Sequence, residues 1–364
     1  MPDIQLHVNG KVYGGWKEAR VTRSIDAVSG KFDLSVTDRW EADSQPWQIF
    51  PGDECVIKID GETLITGYVD QASPEYDANG HGINISGRDK TCDLVDCSAV
   101  VKSYDLRGLR LEEIAAALAK PFGIKVRAEA STGAKFDTFA IQPGESCWEA
   151  IERAARQRFM VVTTNGAGDL VIASIGDSRA ADALVEGKNI KRAAATYDYT
   201  ERFSEYIVKG QAPAKNDGSE PPKIAVQSKA IDPAITRYRP KVLTSETQAT
   251  DGSAQDRAEL EASTRAGKST KISATVVGWK MSNGQLWPLN VLVNLRSPML
   301  VADDVDLLIS QLSFVISESE GIVTEMSLVK PGTYLLGRDK GKKPKKKKGS
   351  GGKMPPIDWE LKGY

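Results

Sequence analysis

His7 and His81 are the only imidazoles in this chain of 364 residues, and both stand beside glycine turns. A His-Glu-x-x-His metal site needs two histidines on one helix face, so that chemistry is excluded. A Ser-His-Asp relay would have to recruit one of the two, and no Gly-x-Ser-x-Gly elbow presents a serine to it. Gly267-Lys268-Ser269 resembles the end of a phosphate-binding loop. The glycine required five positions earlier is Ala262, however, and a helix precedes the motif where a strand should, so Gly267 reads as a helix C-cap. Asp and Glu total 49, enough to supply a glycosidase pair, but no spacing places two of them across a sugar. The sequence therefore predicts no catalytic residues, no metal site and no cofactor, which is the profile of a structural protein and not of an enzyme.

Residues suited to contact are easier to find. Trp16, Trp40 and Trp47 cluster around Pro46 and are candidate subunit contacts, with core packing or a sugar-binding platform as the other uses of such aromatics. Lys342, Lys343, Lys345, Lys346, Lys347 and Lys348 form a basic run, a candidate contact for a polyanion. They lie in a segment, 338–364, with ten Lys and Arg against three Asp and Glu; the remaining 337 residues hold 38 against 46, so an acidic body carries a basic tail within a net charge of −1. The tail is too poor in apolar residues to fold by itself and reads as flexible. Cys55, Cys92, Cys97 and Cys147 contain no Cys-x-x-Cys pair and read as free thiols. MPDIQLHVNG has neither the charge nor the apolar run of a secretory signal, and the expectation is synthesis and retention in a cytoplasm.

The positioning elements are mainly strands. Ile4, Leu6 and Val8 alternate into Asn9-Gly10, a two-residue hairpin signal; Phe32, Leu34 and Val36 alternate again; CVIKID and TLITGYV flank Gly61-Glu62. Between about 105 and 190 the pattern turns helical: LRLEEIAAALAK stops at Pro121 and Gly123, and SCWEAIERAARQRF starts with Ser146 as N-cap and Glu149 three residues on. Strands return from 190. The fold class expected is mainly β with an α+β insertion: a first small β-barrel over 1–100, an α+β unit over 101–188, and a second small β-barrel over 189–337. The second is expected to carry a long loop at 211–236 and a surface helix at 253–266 that packs through alanines. LITGYVDQASPEYDANGHGINIS and LLISQLSFVISESEGIVTEMSLV share a layout of strand, Ser- and Glu-containing turn region, glycine and strand, which points to two β units of one plan, with 32–36 matching 272–276.

Two resemblances carry the functional reading. FAIQPGESCWEAIERAA resembles the opening strand, turn and helix of a LysM module, a class that binds peptidoglycan. At larger scale, Gly15-Trp16 with Arg23, Ser29-Gly30 with Phe32, Thr37 to Trp40, and the block ERFSEYIVKGQ resemble the baseplate hub of Mu-type contractile phages, the tail protein P family, over about residues 1–335. That family shares its fold with other phage hubs and with the N-terminal part of VgrG. The resemblance implies a virion protein of the tail baseplate, assembled in the host cytoplasm as a homotrimer whose two barrels per chain give six similar units around a channel. The implied partners are other copies of the chain, the sixfold tail tube, a threefold central spike, other baseplate proteins and DNA passing without sequence-specific contact during genome ejection. An acidic channel wall would repel that DNA. Two rivals stand beside this reading: a peptidoglycan-binding or wall-degrading tail protein, and a nucleic-acid binder acting through Lys342 to Lys348.

Overall fold

The computed structural model describes residues 3–38, 48–76, 81–210, 226–244 and 251–334. Trp40, Trp47, the tail 338–364 with the six candidate lysines from Lys342 to Lys348, and most of the expected loop fall outside them.

The first β region is β1 (Ile4–Val8), β2 (Lys11–Tyr13), β3 (Glu18–Ser24), β4 (Lys31–Asp38), β5 (Glu54–Ile59), β6 (Glu62–Tyr76) and β7 (His81–Asp89). Asn9 and Gly10 have φ of 50° and 75°, the left-handed pair a tight hairpin turn needs, and β1 pairs β2 across them. At the next turn the left-handed residues are Asp60 and Gly61, one position earlier than the sequence suggested, because Ile59 pairs Glu62.

An α+β unit follows: α1 (Cys92–Asp96), α2 (Leu111–Ala119), β8 (Val126–Ala128), α3 (Cys147–Gln157), β9 (Val161–Thr164) and β10 (Leu170–Ala173), with β8, β10 and β9 in a small sheet. Leu94 and Ala99 are buried in the same core as Ile114, Leu118, Ile151 and Ile172, so this unit begins near residue 91 and not at 101. Ser146 caps α3 as expected: the Glu149 amide donates to Ser146 Oγ at 3.1 Å and the Ser146 amide to Glu149 Oε2 at 2.8 Å. Residues 139–141, the strand required for a LysM opening, make only a single bridge, Ala140 to Asp105; Phe139 and Ile141 turn into the helical core instead.

The second β region contains β11 (Leu184–Val185), β12 (Ile190–Tyr197), β13 (Glu205–Gly210), β14 (Val226–Ile231), β15 (Pro240–Thr244), α4 (Asp251–Lys268), β16 (Thr270–Val277), β17 (Leu292–Ser297), β18 (Ala302–Ser317) and β19 (Gly321–Val329). The expected loop 211–236 thus holds a strand, β14, which pairs β13 along its whole length. β13, β14 and β15 form a separate sheet under α4, whose buried side is Ala254 and Ala258 against Tyr206 and Val208. α4 runs through Gly267, which is no cap: a Cβ there would lie 2.6 Å from the Thr333 Cα, and glycine is what allows that segment to cross the helix.

Among the described residues the other strands of both β regions join in one thirteen-stranded sheet, in the order β12-β16-β19-β18-β3-β4-β7-β6-β5-β1-β2, with β17 and β11 branching from β18. The two regions share one core, from Ile4 and Phe32 to Phe314 and Leu328, where the sequence suggested two separable barrels. Within this sheet one plan occurs twice. β3, β4, β5, β6 and β7 lie in the spatial order 3-4-7-6-5, and β12, β16, β17, β18 and β19 lie in the order 12-16-19-18-17. Phe32 opposite Gly87 corresponds to Ile272 opposite Leu328. Carried across, that register places the single bulge of the β6-β7 hairpin, between Val69 and Gln71, on the single bulge of the β18-β19 hairpin, between Ile309 and Gln311. Beyond the bulge, Gln71-Ala72-Ser73 matches Gln311-Leu312-Ser313. A bulge fixes where a strand bends and how its register continues, so the coincidence marks a repeated unit and not two unrelated hairpins.

Candidate functional site

Alternation along each strand gives the large sheet two different faces. Phe32, Leu34, Ile85, Leu312, Phe314, Met326 and Ile272 point into the core. The other face gathers Ser35, Gln71, Ser73, Asn84 and Ser86 from the first half, and Ser273, Thr275, Gln311 and Ser327 from the second, in open concavities. Its charges are mixed. Arg20 donates to Glu325 at 2.6 Å, and Arg192 pairs Glu320 at 2.8 Å. The hydrogen bond from Arg20 holds the Glu325 carboxyl below the usual range. Glu18, Asp33, Glu320 and Glu325 line the first concavity against Arg20, so the ionic part of this face leans acidic among its hydroxyl and amide groups.

The two halves meet where β18 pairs β3 from Gln311 opposite Ser24 to Ile316 opposite Ala19. Val21 and Phe314 are buried on the apolar side of this seam, and Thr22 Oγ1 lies 2.9 Å from Ser313 Oγ on the polar side. Arg20 to Glu325 reaches across the same seam.

The motifs that carried the resemblance are structural. Trp16 is 6% exposed and donates from Nε1 to the Ile4 carbonyl at 2.9 Å, so it is a core residue and not the surface contact its cluster suggested. Ser29, Gly30 and Arg23 converge on Asp89, where the first β region meets the α+β unit. The Asp89 carboxylate accepts from the Gly30 amide at 2.6 Å, the Thr91 amide at 2.9 Å, Thr164 Oγ1 at 3.0 Å and Ser29 Oγ at 3.3 Å, and also from the Thr91 hydroxyl. Arg23 donates to the Thr164 carbonyl beside it. Burial pushes the Asp89 carboxyl above its ordinary range despite these donors, and pulls the Arg23 guanidinium down against the attraction of Asp89. Asp89 was invisible to motif reading because its partners come from three separate segments. In ERFSEYIVKGQ, Arg202 makes a buried two-pronged pair with Asp232, 2.9 Å from Nε and 2.8 Å from Nη2, and lies over the Tyr199 ring at 4.5 Å.

The remaining candidates stay apart. His7 Nε2 lies 3.2 Å from Gln5 Oε1 on β1. The cysteines are free, and burial pushes the Cys55 and Cys92 thiols up to about 12, which makes them inert. Among the described residues no three His, Cys, Asp or Glu side chains gather as a metal site.

A duplicated sheet with one apolar and one hydroxyl-rich face, ending in open strands, defines a scaffold of a larger assembly. The comparisons agree. Family models match in three consecutive pieces: Mu phage baseplate assembly protein GpP-like, N-terminal, at 3–89; baseplate hub protein gp44-like, second domain, at 91–174; and Mu phage baseplate assembly protein GpP, fourth domain, at 250–337. The baseplate hub protein gp44 of Escherichia phage Mu is 35% identical over 352 residues, spanning 94% of this chain and 92% of the relative. The 43 kDa tail protein of prophage MuSo2 from Shewanella oneidensis is 34% identical, with a TM-score of 0.82 over 92% of this chain and 99% of that one. A tail protein from Neisseria meningitidis MC58 has the same fold at 22% identity, with a TM-score of 0.77 over 92% of this chain and 98% of that one. The chain belongs to the Mu-type baseplate hub family: it is a structural protein of a phage tail baseplate and a part of the virion.

Proposed function

We propose that three copies of this chain form a ring-shaped hub that adapts the sixfold tail tube to a threefold central spike, with other baseplate proteins bound around it, and that its role is structural and not catalytic. The observation that carries this reading is the repeated strand order with its repeated bulge. Two units of one plan per chain give six similar units in a trimer, which is the arithmetic a sixfold-to-threefold adaptor requires. On this reading the two halves of the large sheet are the two barrel-like units, and their polar faces line the channel through which DNA leaves.

A wall of serine, threonine, asparagine and glutamine whose charged residues lean acidic suits that passage. Affinity for DNA grows with the number of phosphates neutralised by Lys and Arg, and a guanidinium already held by a carboxylate releases few counterions. The genome then meets no strong attraction from this wall. The peptidoglycan reading loses its support where residues 139–141 form no strand and where Ser146 and Glu149 are committed to capping α3.

Light scattering on the purified full chain at micromolar concentration tests the assembly. The expected mass is three times the 39.5 kDa of one chain. A monomer across the accessible concentration range, or a twofold dimer, contradicts the proposal.

A further inference from the structure

The repeat is complete in its strands but not in its pairing. On β18, the side facing away from β19 is covered twice: β17 pairs residues 302–308 and β3 pairs residues 311–316. On β6, the equivalent of β18, the side facing away from β7 is covered once, by β5 over residues 62–68. Among the described residues nothing pairs that side of residues 71–76. The equivalent of β3 in the second half is β12, and it too has an open side, since β16 is its one partner among the described residues. Each chain therefore has one vacant strand position and one strand of the kind that fills it.

Exposure follows the same pattern. Leu312, Ser313 and Phe314 are 2% exposed under β3, whereas their equivalents Ala72 and Ser73 are half-buried and Pro74 is exposed. Val21 is fully buried against β18, whereas its equivalent Ala195 is half-buried.

We infer that β12 of one copy adds to the open half of β6 in the next, antiparallel, in the register that β3 takes on β18 within a chain. This rests on the ring reading above and names the contact that builds the ring. Transposing the seam sets Ser73 opposite Thr196, because Ser313 stands opposite Thr22, and both residue types recur. The 2.9 Å hydroxyl contact between Thr22 and Ser313 is thereby repeated between copies. The contact is heterologous, an edge of one kind on an edge of another, so it propagates and then closes. If the seam between copies has the geometry of the seam within a chain, six alternating seams complete a ring of three chains.

The open edge is also guarded. Val69 exchanges backbone hydrogen bonds with Gly52 and Asp53, so it faces away from β7; alternation past the bulge turns Pro74 the same way. Proline removes one donor from the exposed side, which discourages pairing with arbitrary strands. Its carbonyl remains to accept from the incoming strand, and Ala72 and Tyr76 keep both groups.

A cysteine pair tests the register. In one chain six strands separate β6 from β12, so a disulfide between positions 73 and 196 forms only between copies. In the full chain with the exposed Cys97 replaced by serine, Ser73→Cys with Thr196→Cys is expected to oxidise to a covalent trimer on a non-reducing gel. Ser73→Cys alone mixed with Thr196→Cys alone should give covalent dimers, and Ser73→Cys with Ala194→Cys, two residues out of register, at least about tenfold less product; directly opposed residues bring their Cβ atoms within bridging range and diagonal ones do not. A trimer by light scattering that fails to crosslink at 73 and 196 overturns this pairing and leaves the ring standing. An open ladder of crosslinked species supports the pairing and overturns the closed ring, and a monomer without crosslinks overturns both.

Discussion

Arg202 and Asp232 show what single residues contribute. The unit formed by β13, β14, β15 and α4 has a core of Tyr206, Val208 and three alanines, with few large side chains to bury at roughly 1.5–3 kcal/mol each. The buried ion pair ties its strand ends together: Asp232 also accepts from the Ala234 amide at 3.1 Å, and Arg202 reaches Ser269 at the end of α4. Removing the carboxylate leaves a desolvated guanidinium without its partner. Asp232→Ala is expected to cost about 3–5 kcal/mol, read as a lower urea midpoint; a loss below about 1 kcal/mol would show that solvent reaches Arg202 and that the pair is dispensable. Trp16, by contrast, stands in a sequence cluster that suits contact as well as core packing. Its burial depends on Ile4, twelve residues away on β1, whose carbonyl takes the indole hydrogen, and proximity to other tryptophans in the chain carries no such information.

The same limit explains which elements were legible. Apolar, β-branched runs such as ATVVGW and DLLISQLSFVIS, bounded by turn residues, announce strands, and α3 announces itself through Ser146 and Glu149. β14 does not: among its described side chains, 227–231, only Ala230 is buried, since the strand lies at the edge of a small sheet beneath a helix whose own buried side is alanine. β3 shows just Ala19 and Val21, too short a pattern to read, although it is the strand that joins the halves. Its seam with β18 has a pH dependence. Glu325 titrates below its unfolded value near 4.3, so its pair with Arg20 stabilises the fold above that value, and the stabilisation is lost as pH falls through the lower folded value. Both side chains are partly exposed, which limits the pair to about 1 kcal/mol or less. Glu325→Gln should lower the thermal midpoint modestly at pH 7 and leave it equal to the parent's near pH 2. An equal difference at both pH values would mean that packing, not charge, is what the substitution removes.

At the scale of the molecule, the faint repeat in the sequence proves to be topological. Few side chains are shared between the halves. Strand order, the bulge and the Gln-x-Ser step beyond it are retained, since they set the curvature that lets equivalent units meet at equivalent angles. The halves differ most where the ring reading requires it, at the vacant side of β6 and the uncovered side of β12. The most direct measurement is an electron cryomicroscopy reconstruction of the full-length assembly with no symmetry imposed. The account predicts three chains in a closed ring with six similar β units, Ser35, Asn84, Ser273 and Thr275 facing the lumen, and β12 of each chain paired to β6 of the next. An assembly whose lumen is lined by the α+β units, or in which β6 and β12 remain unpaired at the periphery, would contradict it.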